Sequence, residues 1–387
     1  MILQKDAPEE FSVWALCAVG LEKILSNELK KNAFEVLESG YGRVVFSTDL
    51  PGLYRALMGL RTTDRIFLEL SYFYAENFDD LFENIRNIPW ESYLGPDSTL
   101  TVAKVRTKSS PLHSESTIQA MTHKAAADRL CEKYHLLRLP ENGFPVEARV
   151  YIEQDRVAVL LDISGEPLFK RGYRLEGGSA PLRETTAAAL LLYAGWKRKS
   201  PLYDPFCGSG TIAIEAALYA WNVAPGVGRH FALEQFRIAD KNIESKIRQE
   251  LTEAADFSRS IRIFASDSDS AAISYAKANL NRAFQLIHGE NPESVPEFKV
   301  LPMEKAQAVD SEGFIITNPP YGLRLGEQSD AENRYREMSR LMHRFPGWKL
   351  CVLSDHAGFE SFFGTKASTC RELQNGAIPL YFYQFNS

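Results

Sequence analysis

Asp204-Pro-Phe-Cys-Gly-Ser-Gly-Thr211 follows a short apolar run at 201–204, and Asn318-Pro-Pro-Tyr321 follows another at 314–317. In the first stretch Asp204 and Pro205 end the extended run. Gly208 and Gly210 then permit a sharp turn of bare backbone before a helical pattern starts at Thr211. A strand that enters a helix through such a turn leaves N–H groups at the helix start, where an anion or a dipole can sit. The loop lacks the third glycine of a dinucleotide fingerprint and the Gly-Lys-Ser/Thr of a nucleotide phosphate loop. A ligand carrying a carboxylate therefore fits it better than a pyrophosphate.

Outward from these two stretches, apolar runs and helical periods alternate. Helices are predicted at 184–193, 211–221, 270–284 and 331–345, and strands at 201–204, 261–265, 314–317 and 349–353. Strands separated by helices of this length require parallel pairing with helices on both faces. The tail, 367–373 and 378–385 around Gln374-Asn375-Gly376, reads as an antiparallel hairpin that closes one edge. The expected catalytic half, 181–387, is thus α/β and Rossmann-like with a mixed sheet. Residues 166–180, with Gly172, Gly177 and Gly178 and no strong period, read as a linker.

The front half has a different grammar. A strand at 11–18, a helix at 21–31, a strand at 43–47 and a helix at 53–60 make a small α+β unit, residues 1–60. Residues 61–165 follow with a strand at 65–74, a helix at 78–88, a strand at 99–107, a long helix at 116–134 and a hairpin-like pair at 146–152 and 156–163.

With 387 residues and 45% hydrophobic content, the chain is long enough for two or three cores. No apolar run approaches the roughly 20 residues of a membrane span, and Met1 to Glu10 is too polar for a secretory leader. The expected location is cytoplasmic, without a membrane partner. Cys17, Cys131, Cys207, Cys351 and Cys370 lie far apart, which predicts reduced thiols and no metal site. Net charge is -6, yet residues 98–138 carry 7 basic against 3 acidic side chains, and residues 166–200 repeat that balance. Two basic segments in an acidic background suggest local contacts with polyanion rather than a general affinity for it.

The run at 261–265 ends in Ser266-Asp267-Ser268-Asp269. An acid at the end of the second strand is where a ribose diol is held by charge-assisted hydrogen bonds. Asp267 is the candidate, and Asp269 reads as a helix cap. A carboxylate site beside a ribose site points to S-adenosylmethionine.

These residues resemble a class I S-adenosylmethionine-dependent methyltransferase, with 204–211 in place of its first motif. Together with the front half, with Leu182-Arg-Glu-Thr-Thr186 and with Asn318-Pro-Pro-Tyr-Gly-Leu-Arg-Leu-Gly326, the whole chain resembles the THUMP-domain rRNA guanine-N2 methyltransferases. The resemblance implies ferredoxin-like and THUMP domains ahead of the catalytic domain, and a cofactor loop of Asp204, Pro205, Cys207, Gly208, Ser209, Gly210 and Thr211. It also implies ribose contact by Asp267, a catalytic segment Asn318, Pro319, Pro320 and Tyr321 with Asn318 also near the cofactor, and a cofactor-side role for Arg183 and Glu184, with capping of the helix they open as the alternative. Where the family carries an acid near adenine, this chain has Leu301-Pro-Met-Glu304.

The amine of a nucleobase is a poor nucleophile because its lone pair is delocalised into the ring. Two acceptors for its two hydrogens, the side-chain oxygen of Asn318 and the carbonyl of Pro319, localise that pair and aim it. The consecutive prolines hold both acceptors in place beforehand. Tyr321 offers a face for an extruded base. Carbon-5 pyrimidine chemistry needs a cysteine nucleophile, and Tyr321 stands where one would be placed. Adenine N6 in DNA and a protein glutamine amide share the planar NH2, so the motif alone leaves them open, as it leaves open a tRNA guanine and a non-catalytic assembly factor. The THUMP resemblance favours structured RNA, most of all 23S rRNA. Lys104, Arg106 and Lys108 on one strand, with Lys124, Arg129 and Lys133 on the long helix, are expected to make one phosphate-binding surface, and Arg324 to touch RNA or orient the loop.

Overall fold

The computed structural model describes residues 9–174, 182–287, 292–320, 327–375 and 378–386. Tyr321 and Arg324 lie outside the described residues. The front half runs β1 (Phe11–Leu16), α1 (Glu22–Lys31), β2 (Glu35–Gly40), β3 (Arg43–Thr48), α2 (Leu50–Gly59), β4 (Arg65–Tyr74), α3 (Phe78–Asn87), β5 (Ser98–Lys108), α4 (Glu115–Tyr134), β6 (Phe144–Glu153) and β7 (Arg156–Asp162). Two of its helices begin at side-chain caps of the expected kind. Asp49 accepts from the Gly52 N–H at 2.8 Å and Asn77 from the Asp80 N–H at 2.9 Å, each cap worth about 1 kcal/mol.

All seven strands form one sheet in the order β2-β3-β1-β4-β7-β6-β5. The sequence reading separates 1–60 from 61–165, whereas β4 pairs antiparallel with β1 through Arg65–Leu68 and with β7 through Phe67–Tyr74. A ten-residue strand has enough length to serve neighbours on both sides. β2, with only Val36 and Leu37 apolar, lacks the hydrophobic run that would have marked it in the sequence. One face of the sheet is buried under α1 to α4 in a core that includes Val13, Ile66, Leu100, Val146 and Val159. The opposite face carries a smaller apolar cluster of Trp14, Val45, Phe67, Ala158 and Leu160.

The second half runs α5 (Glu184–Ala194), β8 (Leu202–Asp204), α6 (Thr211–Ala220), α7 (Lys241–Glu253), β9 (Ile263–Asp267), α8 (Ser270–Ile287), β10 (Glu297–Val300), β11 (Gly313–Thr317), α9 (Glu327–Met338), α10 (Leu341–Arg344), β12 (Trp348–Ser354), α11 (Phe359–Phe363), β13 (Thr369–Asn375) and β14 (Ile378–Asn386). Its sheet has the order β10-β9-β8-β11-β12-β14-β13, with β8 to β12 parallel and the final hairpin antiparallel. The α/β domain with its mixed sheet is thus as expected. α7 and β10 are additions that the sequence reading passed over, because α7 has a single buried residue, Ile247, and β10 is four residues long.

The two halves share one apolar core, in which Leu57 and Met58 of α2 cluster with Leu190 of α5 and Leu233. Gly226 donates to the Met58 carbonyl at 2.8 Å, and a Cβ there would meet the Leu57 carbonyl oxygen at 2.8 Å. Among the described residues no helix is long and apolar enough to cross a membrane.

Candidate active site

Strand order reverses between β8 and β11. The chain leaves β8 toward β9 and β10 on one side, then returns to place β11 on the other. Loops after adjacent parallel strands diverge at such a switch point and leave a crevice, which is where α/β sheets bind ligands. The loop 205–210 follows β8, Asp267 closes β9, and Asn318 and Pro319 follow β11, so the order of strands alone brings the two halves of the site to one sheet edge.

Asp204 is the buried pivot. Its carboxylate accepts from the Thr317 hydroxyl at 2.6 Å and from the Phe206 N–H at 3.1 Å, tying the cofactor-side strand to the residue before Asn318. Burial, opposed by those two hydrogen bonds and aided by Asp267, pushes its carboxyl up to about 7. Pro205 is buried beside it, and Ser209 is half-buried. Gly208 and Gly210 have φ of +50° and +85°. A Cβ on Gly208 would meet open space, whereas one on Gly210 would meet the Ala276 methyl and the Phe298 ring at 3.0 Å. The first glycine leaves backbone accessible, and the second lets α8 and β10 pack against the turn.

These features fit S-adenosylmethionine. α6 starts at Thr211 with no side chain capping its N–H groups, which leaves donors for the carboxylate end. Asp267 accepts from the Gly208 N–H and the Asp269 N–H, each at 3.0 Å, and an ionised carboxylate keeps further lone pairs for two hydroxyls. Asp269 accepts from the Ala271 N–H at 2.8 Å, as expected of a cap. Cys207 is buried, and burial together with Asp204 and Asp267 pushes its thiol well above the ordinary range. A thiol so held is a packing group and not a nucleophile. Asn318 is half-buried, Pro319 is buried and Pro320 is exposed at the end of β11.

Sequence reasoning missed two residues here. Asn279 of α8 is fully buried and donates to the Ser209 carbonyl at 2.9 Å, while Arg282 donates to Asn279 and, at 2.8 Å, to the Tyr173 carbonyl. The available signal was an asparagine on the helix stripe of Ile273, Ala276, Leu280 and Ala283. A polar side chain on an apolar stripe requires a partner.

Two expectations are corrected. Arg183 donates to Asp64 at 2.8 Å, Thr185 also donates to Asp64, at 2.5 Å, and Glu184 pairs with Arg174 at 2.8 Å. The segment 182–186 therefore directs these charges at the front half and the linker instead of the cofactor loop. The six cations expected on one surface lie on opposite faces of the front sheet. Leu100, Val102 and Val105 point into the core beneath α4, so Lys104, Arg106 and Lys108 point away from it. On the helical side Arg129 is held by Glu91 at 2.6 and 3.0 Å, Lys133 is 3.8 Å from the same carboxylate, and Lys124 lies over the Phe82 ring. No group of His, Cys, Asp or Glu among the described residues could hold a metal ion.

Comparison with known proteins bears on the family and the fold. The chain matches models of an RlmL ferredoxin-like domain over residues 12–67, a THUMP domain over 75–162 and an RMKL-like methyltransferase domain over 171–384. It is 34% identical to the putative RNA methyltransferase YpsC of Bacillus subtilis, over 97% of this chain and 96% of that one. It is 32% identical to the ribosomal RNA large subunit methyltransferase K/L of Syntrophotalea carbinolica, over 98% of this chain and 54% of that protein, so it spans about half the length of that relative. A solved putative methyltransferase, SMU.472, complexed with SAH, superposes with a TM-score of 0.89 at 32% identity, covering 98% of this chain and 99% of that one. The chain therefore belongs to the RMKL-like methyltransferase family, an S-adenosylmethionine-dependent enzyme whose class I catalytic domain follows ferredoxin-like and THUMP units.

Proposed function

We propose that this enzyme methylates the exocyclic N2 amine of a guanine in structured RNA, with 23S rRNA as the substrate. The single observation that carries the transfer geometry is the Thr317 to Asp204 hydrogen bond at 2.6 Å, which couples the strand ending in Asn318-Pro319 to the strand ending in the cofactor loop, while the choice of guanine rests on the family resemblance. The RNA assignment is supported by the THUMP match and by relatives named as RNA methyltransferases.

When bound, S-adenosylmethionine supplies an electrophilic methyl on sulfur. Asp267 and the Gly208–Thr211 backbone would hold its ribose and amino-acid ends. The Asn318 side-chain oxygen and the Pro319 carbonyl each accept one hydrogen of the target amine, localising its lone pair, and Tyr321 stacks on the extruded base. Pro319 and Pro320 fix φ near -65° and restrict the residue before each, so the backbone that carries both acceptors is held in place before reaction. Transfer would break the S–CH3 bond with S-adenosylhomocysteine as leaving group, and the methylated nitrogen, cationic and acidic, would lose its proton to water without a dedicated strong base.

The test uses 23S rRNA from cells lacking the protein, with nucleoside mass spectrometry as the readout. N2-methylguanosine formed by wild type and reduced about 100- to 1000-fold by Asn318→Ala, with S-adenosylhomocysteine affinity retained, supports the reading. N6-methyladenosine as the product, or near wild-type turnover by the variant, refutes it.

A further inference from the structure

The face of the front sheet turned away from α1 to α4 is a trough without a partner among the described residues. Two adjoining hollows of about 1200 and about 590 Å³ cross it and share Trp14, Tyr41, Arg43, Arg106 and Tyr151. The larger exceeds the roughly 300–1000 Å³ of small-molecule pockets. Their chemistry differs. The smaller hollow has six cations, Arg43, Arg65, Lys104, Arg106, Arg149 and Arg183, against one acid, Asp64. The larger mixes both signs and is rich in rings, with Tyr41 72% and Tyr72 56% exposed, while the Trp14 and Tyr151 rings are 5.7 Å apart.

Most of these cations have carboxylate neighbours, but Lys104 has no hydrogen-bond or ion-pair partner among the described residues. Partial burial, followed by Arg106 and Arg149, lowers the affinity of its ammonium for its proton, and Glu115 and Glu147 offset this only in part. A cation crowded by cations is relieved by an anion. The smaller hollow also reaches Arg183 at the start of α5, so the trough leads from the THUMP unit to the edge of the catalytic domain.

We propose that this trough binds an unpaired strand of the substrate RNA, with backbone phosphates in the smaller hollow around Lys104 and bases against the rings of the larger one. The proposal rests on the RNA reading above. Cations that track a backbone beside aromatic faces are what single strands require. An A-form duplex keeps its bases stacked inside and offers the rings nothing. The front half would then hold a single-stranded flank of the target while the neighbouring catalytic domain receives the extruded base. Lys124, Arg129 and Lys133 of α4 face away from this path.

The full chain is titrated by fluorescence anisotropy with a labelled oligouridylate of roughly 12 nucleotides, within the span such surfaces cover, and with an RNA duplex of equal length. Oligouridylate carries no guanine, so binding is read apart from methylation. The expected results are preference for the single strand, a loss of about fivefold or more for Tyr151→Ala and for Lys104→Glu, and a salt slope for Lys104→Ala shallower by about 0.7. S-adenosylhomocysteine affinity reports that each variant is folded. Folded trough variants that bind as wild type, preference for duplex, equal competition by polyglutamate, or loss confined to Lys124→Glu would each overturn the proposal. If wild type methylates rRNA while the trough variants bind and methylate unchanged, the trough assignment falls and the guanine reading stands. If oligouridylate binding depends on the trough while no rRNA is methylated, the trough stands and the guanine reading falls.

Discussion

Replacing Asp204 with Asn tests the electrostatics of the buried pivot between the two halves of the site. The Asp204 carboxyl is 1% exposed, has the Thr317 hydroxyl and the Phe206 N–H as its hydrogen-bond donors, and is pushed up to about 7. Its value in the folded state lies above the unfolded value near 3.8, so the folded state holds a proton that the unfolded chain has released between those limits. Stability contributed at low pH is therefore lost as pH rises from about 4 to about 7, and the loss levels off above that. Between pH 5 and pH 8 a shift of this size removes about 2–3 kcal/mol. Asn keeps the acceptor oxygen for both donors and cannot ionise. The stability difference, Asp204→Asn minus wild type, should thus rise by about 2–3 kcal/mol from pH 5 to pH 8. Urea unfolding at steps of pH measures it, and contributions from other raised carboxyls such as Glu184 are common to both proteins and cancel. A difference that stays flat across this range would refute an Asp204 that carries its charge in burial.

Gly210→Ala forces a Cβ onto a residue at φ +85° and against Ala276 and Phe298; it should destabilise the protein by at least about 1–2 kcal/mol and weaken S-adenosylhomocysteine binding in calorimetry. Asn279→Ala removes the tether on the Ser209 carbonyl, and a net hydrogen-bond loss of about 0.5–1.5 kcal/mol predicts a cofactor affinity roughly two- to tenfold weaker. An Asn279→Ala protein that melts earlier yet binds S-adenosylhomocysteine as tightly as wild type would make Asn279 a core residue alone.

What could be read early was what local chemistry dictates. Gly208, Gly210 and the Pro319-Pro320 pair restrict or free φ wherever they occur, so the turn after β8 and the stop after β11 follow from residue identity. The parallel sheet with its closing hairpin follows from alternating periods. Asp269 as a helix cap was legible for the same reason. Asn279 was not, because its partner, Ser209, is 70 residues away in the chain and becomes a neighbour only when α8 packs against the loop. The charges of 182–186 were misdirected for a like reason, since Asp64 is 119 residues from Arg183.

The clearest division lies in β5. Its sequence determined a strand with Lys104, Arg106 and Lys108 at a period of two, and strict alternation would have put them on the same face as Leu100 and Val102, beneath α4. The fold places an irregularity between Val102 and Lys104, where Val102 pairs with Ala148 and Lys104 with the next residue, Arg149. One extra residue shifts the phase, so Val105 joins the core and the three cations emerge in the trough. Composition supplied the charges, but only pairing with β6 and the burial demand of α4 decided which side of the sheet they serve, because a side chain's face depends on register and register is a property of two strands together.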